Sequence, residues 1–114
     1  MFSLSSSHRY YLYGGPVDMR KGFDGLSGLV RNILDKEPSS GEVYIFLNRN
    51  RTLIKLLHWE RGGFVIYCKR LEKGTFTPPS RVSGSGTVHW PELVLMVEGI
   101  EVEKSRQKVR YQKD

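Results

Sequence analysis

The sequence predicts an α+β fold: a small antiparallel β-meander sheet, one main helix packed on one face, and a short C-terminal helix. Three observations lead there. Residues 19–36 carry apolar side chains at helical spacing. Residues 43–70 hold three strand-like runs joined by short, turn-rich segments. Residues 90–99 combine an early proline with a closing glycine. The 114 residues suit one domain, placed at 1–103. A basic tail with few apolar residues follows at 104–114 and is expected to be flexible.

In chain order, RYYLY at 9–13 reads as a short strand rich in aromatics, broken by Gly14-Gly15-Pro16. Asp18 is a candidate helix cap. Beyond it Met19, Phe23, Leu26, Leu29, Val30, Ile33 and Leu34 share one helical arc, which stops before Pro38. Gly22, Gly25 and Gly28, spaced by three, read as positions for close helix packing. Strand-like runs follow at 43–47, 52–59 and 64–70, and the short joins between them favour antiparallel pairing. Four-residue loops set Leu47 opposite Thr52 and Trp59 opposite Phe64. One face then holds Val43, Ile45, Leu47, Ile54, Leu56, Val65 and Tyr67, and the helix is expected there. The other mixes Tyr44, Phe46, Leu57, Trp59, Phe64 and Ile66 with Lys55 and Arg70. Residues 77–87 (TPPSRVSGSGT) read as a loop or linker, and Trp90-Pro91-Glu92 opens a helix closed by Gly99.

Charge is unevenly distributed within the formal +6. Residues 1–47 balance, residues 74–103 are acidic and the tail is basic. Residues 48–73 set Arg49, Arg51, Lys55, Arg61, Lys69, Arg70 and Lys73 against Glu60 and Glu72. Such a centre suits a polyanion, nucleic acid first. The alternative is that these cations solvate a hairpin. Aromatics interleaved with Lys55, Lys69, Arg70 and Lys73 suit phosphates and unpaired bases, although Trp59 and Phe64 read first as core. Arg20 and Lys21 stand near the helix start, where an anion would meet free N–H groups. Alternatively Arg20 pairs with Asp24 and Lys21 is solvated.

Catalytic chemistry finds little footing. His8, His58, His89 and Cys68 show no metal-ligand spacing, and there is neither a nucleophile elbow nor a phosphate-binding glycine loop. Asp18, Asp24 and Glu60 are conceivable as a two-metal nuclease site, but a cap, an ion pair and a turn explain them better. No enzyme activity, catalytic residue, metal or cofactor is therefore expected. The lone cysteine leaves no intrachain disulfide and fits a reducing cytosol. No apolar run reaches membrane-span length, and the N-terminus lacks a signal-peptide layout. A cytoplasmic protein without a membrane partner is expected.

DMRKGFDGL (18–26), FLNRNRTLIKLLHWERGGF (46–64), YCKRLEKGTF (67–76) and LVLMVEGIE (93–101) occur in order. Together they resemble the accessory protein, TnpB type, encoded by the second reading frame of the insertion-sequence family numbered sixty-six. The likeness covers about residues 9–101. It implies a small bacterial protein that assists transposition beside a larger, separate transposase. Together with the basic centre, it makes DNA at the element ends the leading expected partner, and the alternative is a protein-interaction module that docks on that transposase without touching DNA. Carried onto this chain, the match points to Arg20, Lys21, Gly22, Arg49, Arg51, Lys55, Trp59, Lys69, Arg70 and Lys73. It supplies no catalytic assignment. Where the family pattern commonly has a second tryptophan and an Asp-Gly turn, this chain has His58 and Glu60-Arg61-Gly62-Gly63.

Overall fold

The computed structural model describes residues 4–99, so the tail at 104–114 and the limit placed at 103 lie outside the described residues. The elements are β1 (Tyr10–Pro16), α1 (Phe23–Asn32), β2 (Val43–Leu47), β3 (Leu53–Glu60), β4 (Gly63–Arg70), β5 (Gly86–Val88) and α2 (Trp90–Val97). The strands form one sheet in the order β4-β3-β2-β1-β5. The expected meander is present: β2, β3 and β4 pair antiparallel in sequence. Trp59 faces Phe64 as expected, across a tight Arg61-Gly62 turn whose two residues have φ of +46° and +80°. Leu47 faces Ile54 rather than Thr52. This two-residue slip leaves both faces unchanged, because side chains alternate with period two.

The sheet as a whole is mixed, not antiparallel. β1 runs parallel to β2, with Tyr10 opposite Val43, and β5 runs antiparallel to β1. The physical reason is α1 itself. A helix between two neighbouring strands returns the chain to the end where it started, which parallel pairing requires. β1 also continues through Gly14-Gly15-Pro16, which therefore does not end it. At Gly14 a Cβ would stand 2.3 Å from the Gly84 carbonyl carbon, so only glycine lets the 84–85 backbone cross there. The Gly14 N–H donates to Ser85 Oγ at 2.8 Å. That crossing delivers β5 out of a segment whose composition reads as linker.

The two faces hold the residues expected of them, but α1 packs on the face opposite to the expected one. Val43, Ile45, Leu47, Ile54 and Leu56 are buried with Leu93, Met96 and Val97 of α2, together with Phe76. Tyr44, Phe46 and Leu57 are buried with Leu26 and Val30 of α1. A crossover between parallel strands is almost always right-handed, which leaves α1 a single face. The strongly apolar LVLMV helix then covers the aliphatic side. Trp59 and Phe64 lie half-buried, edge to face with 4.9 Å between centroids.

α1 is shorter than its apolar arc. It starts at Phe23 after Gly22 and ends at Asn32, with Ile33 as C-cap. Asp18 caps no helix; it closes a preceding turn, where its Oδ1 accepts the Arg20 N–H at 2.9 Å and its carbonyl accepts the Lys21 N–H at 3.1 Å. Arg20 pairs with Asp18, not with Asp24. A Cβ at Gly22 would meet open space, one at Gly28 only the Asn32 side chain at 4.0 Å, and one at Gly25 the side chain of Lys21 on the preceding turn, so none of the three meets another element. α2 matches expectation, with Pro91 in its first turn and Gly99 just past its end at φ +80°. Among the described residues no helix is long and apolar enough to cross a membrane.

Candidate nucleic-acid interface

Topology collects the cations at one end of the sheet. β1 and β2 finish there, β3 begins there and β4 finishes there. The 18–21 turn, the 48–52 turn and the 71–75 segment therefore share that rim. The last two are tied directly: the Leu71 N–H donates to Thr52 O at 2.9 Å and the Phe76 N–H to Arg51 O at 2.7 Å. Phe76 is fully buried and anchors the join.

The 48–52 turn is built by Asn48. Its Oδ1 accepts the N–H groups of Thr52 and Leu53 at 2.8 and 3.0 Å, and its Nδ2 donates to Thr52 Oγ1 at 3.0 Å. Arg51 takes the left-handed conformation, φ +58°, that reverses the chain. Consuming the local polar groups inside the turn leaves Arg49, Asn50 and Arg51 on the outside, all exposed. Arg49 and Arg51 line a cleft of about 250 Å³ together with Tyr13 and Gly14-Gly15-Pro16 of β1, Leu47 of β2 and Pro78. A second hollow of about 320 Å³ shares Leu12, Gly14, Arg51 and Pro78 and extends along 77–80. Tyr13, Gly14, Gly15 and Pro78 were not legible as site residues. Gly14-Gly15 carries only a turn signal in sequence, and Pro78 arrives from a loop some sixty residues later.

The eight predicted cations divide by what their side chains touch. Lys55 Nζ donates to the carbonyls of Met19 and Lys21 at 2.8 and 2.9 Å, fastening the 18–21 turn to β3. Lys69 Nζ donates to Val97 O at 2.7 Å, meeting the carbonyl end of α2 as a cation should. These two amines therefore hold the fold together. Arg20 grips Asp18, with Nη2 2.6 Å from Oδ2 and Nε within reach of both oxygens. Those guanidinium hydrogen bonds, with the Arg20 N–H, hold the Asp18 carboxyl far below the usual carboxylate range. Arg70 lies 3.3 Å from Glu72, both well exposed. Among the described residues Lys21, Arg49, Arg51 and Lys73 have no ion-pair partner. Arg20, Lys21, Arg49, Arg51, Arg70 and Lys73 thus line one rim, against Asp18 and Glu72.

The opposite end is chemically different. His58 is buried edge-on against His8, 4.8 Å between ring centroids, and burial followed by the His8 charge pushes its imidazole pKa down. Among the described residues no three His, Cys, Asp or Glu side chains are grouped to hold a metal ion. Arg81, on the loop before β5, donates through Nε to Glu92 Oε2 at 2.8 Å and thereby locks that loop to α2. The hydrogen bonds from Arg81 keep the Glu92 carboxyl below its ordinary pKa.

A family model described as IS66 Orf2 like protein matches residues 8–107. The chain belongs to the IS66 Orf2-like family. Two relatives from Sinorhizobium fredii (strain NBRC 101917 / NGR234) are similar along nearly their whole length. One, "Uncharacterized protein y4hO", is 30% identical over 101 residues, covering 89% of this chain and 88% of the relative. The other, "Uncharacterized protein y4jC", is 29% identical over 108 residues, covering 95% and 92%. No solved structure matches the chain. Membership of the IS66 Orf2-like family gives the protein a transposition-associated accessory role.

Proposed function

We propose that this IS66 Orf2-like protein is a non-enzymatic accessory factor that contacts DNA through the basic rim, while the separate transposase of the same element carries out strand chemistry. One observation carries the reading. Arg49 and Arg51 line an open cleft at the rim without a carboxylate partner among the described residues, and the backbone is organised to present them. Phosphate is the matching ligand for two exposed guanidinium groups carried on one ordered turn. Lys21 and Lys73 extend the rim on either side, and Arg20 and Arg70 join by exchanging weak exposed ion pairs for phosphates.

A salt titration tests this. Binding to an element-end duplex and to a random duplex is measured at several salt concentrations. The four cations without an ion-pair partner, Lys21, Arg49, Arg51 and Lys73, contribute about −3.6 to the slope of log affinity on log salt, and Arg20 and Arg70 steepen it further to the extent that they leave Asp18 and Glu72. Replacing Arg49 and Arg51 together by alanine removes about two units of slope with the fold intact. An unchanged slope, or no binding even at low salt, overturns the proposal and leaves docking on the transposase as the role of this rim.

A further inference from the structure

β4 is the outermost strand, eight residues long and paired only with β3 among the described residues. Its ladder is continuous from Gly63 to Arg70, with no bulge and no proline. A tight two-residue turn makes Glu60 and Gly63 a hydrogen-bonded pair, so the odd-numbered residues of β4 direct their backbone groups toward β3. Leu71, continuing that parity, donates to Thr52 O. The N–H and C=O groups of Phe64, Ile66, Cys68 and Arg70 consequently point away from the sheet. Such an edge, about 27 Å long, is a template for another strand. The side chains of residues 64–67 are only half-buried, so apolar surface accompanies the outward backbone groups.

We infer that β4 is the self-association edge of this protein, pairing antiparallel with β4 of a second copy about a two-fold axis at Tyr67. The four outward residues select this register. Their midpoint is Tyr67, so Phe64 meets Arg70 of the second copy and Ile66 meets its Cys68. Every outward residue then faces another, giving about eight N–H···O bonds. Charge agrees with the geometry. Arg70 of each copy lies against the Phe64 ring of the other rather than against a cation, and Glu72 falls beside the Arg61-Gly62 turn of the other, where it offsets the approach of Lys73 to Arg61 that the same register brings. The antiparallel arrangement also sends the two basic rims to opposite ends of one continuous sheet. Parallel pairing would bring two chains of formal charge +6 rim to rim.

The test uses the full chain without DNA, so its outcome is separate from that of the DNA-binding proposal. Backbone amide exchange and light scattering are recorded at micromolar and at near-millimolar concentration. The inference expects twice the 13.1 kDa mass at high concentration. It also expects the Phe64, Ile66, Cys68 and Arg70 amides to exchange slowly there and fast on dilution. Cys68→Pro removes an outward N–H, and only that N–H, from the edge; it abolishes the dimer, whereas Cys68→Ala retains it. Equal protection at both concentrations in a protein of monomer mass means the edge is covered within one chain and overturns the inference. Fast exchange at both concentrations, or an undiminished dimer in Cys68→Pro, overturns it as well. Should Cys68→Pro not fold, the concentration dependence of the wild-type amides decides.

Discussion

Lys55 separates a cation that builds the fold from one that serves the surface. Its ammonium donates to two backbone carbonyls of the 18–21 turn, at 2.8 and 2.9 Å. Hydrogen bonds to a charged group contribute roughly 1.5–3 kcal/mol each when water is excluded. The site is only half-buried and water replaces part of the loss, so Lys55→Met, which keeps the aliphatic stem, costs about 2 kcal/mol in all. In a domain of this size that lowers Tm by about 10 °C. The assay pairs thermal unfolding followed by circular dichroism with the DNA salt titration. Lys55→Met lowers Tm and leaves the salt slope unchanged at temperatures where the variant is folded. The Arg49→Ala, Arg51→Ala variant does the reverse, since exposed substitutions outside special contacts shift stability by about 0.5 kcal/mol or less. A Lys55→Met protein with parental Tm and a slope reduced by about one unit would show that this ammonium meets phosphate, and the division of the cations would be wrong.

The remaining predictions concern packing and pH. Gly14→Ala destabilises by about 2 kcal/mol because its Cβ collides with the 84–85 backbone, whereas Gly15→Ala, with nothing nearer than the Tyr13 ring at 3.6 Å, stays near the parent; urea midpoints distinguish them. Ile54→Asp places a carboxylate in the fully buried α2-side core and costs more than about 4 kcal/mol, so parental amide dispersion in that variant would contradict the packing described. His58 has a folded pKa below its ordinary 6.5, so the unfolded chain binds the proton first as pH falls. Its contribution to stability is therefore complete above about pH 6.5 and is lost progressively below it. His58→Phe flattens that part of the stability profile, and an unaltered profile below pH 6.5 would exclude His58 as its source.

Periodicity and turn chemistry in this chain were enough to determine the meander, the residues on each of its faces, the C-terminal helix with its proline and glycine boundaries, and the basic turn at 48–52. These depend on neighbours in sequence: alternation with period two, a short loop, a residue that fixes φ. The motifs at 18–26 and 46–76 likewise carried the family. Which helix covers which face was not local. It followed from β1 pairing parallel to β2, a contact between residues more than thirty positions apart, and from the single handedness that a crossover allows. β5 was illegible because three residues in a Ser/Gly-rich stretch become a strand only when β1 offers an edge and Gly14 leaves room. The cations show the same limit. Their number and clustering are sequence properties, but an ammonium on β3 is indistinguishable in sequence from one that faces solvent. Only folding brought the carbonyls of Met19 and Lys21 to Lys55, and that of Val97 to Lys69, while leaving Arg49 and Arg51 at an open cleft.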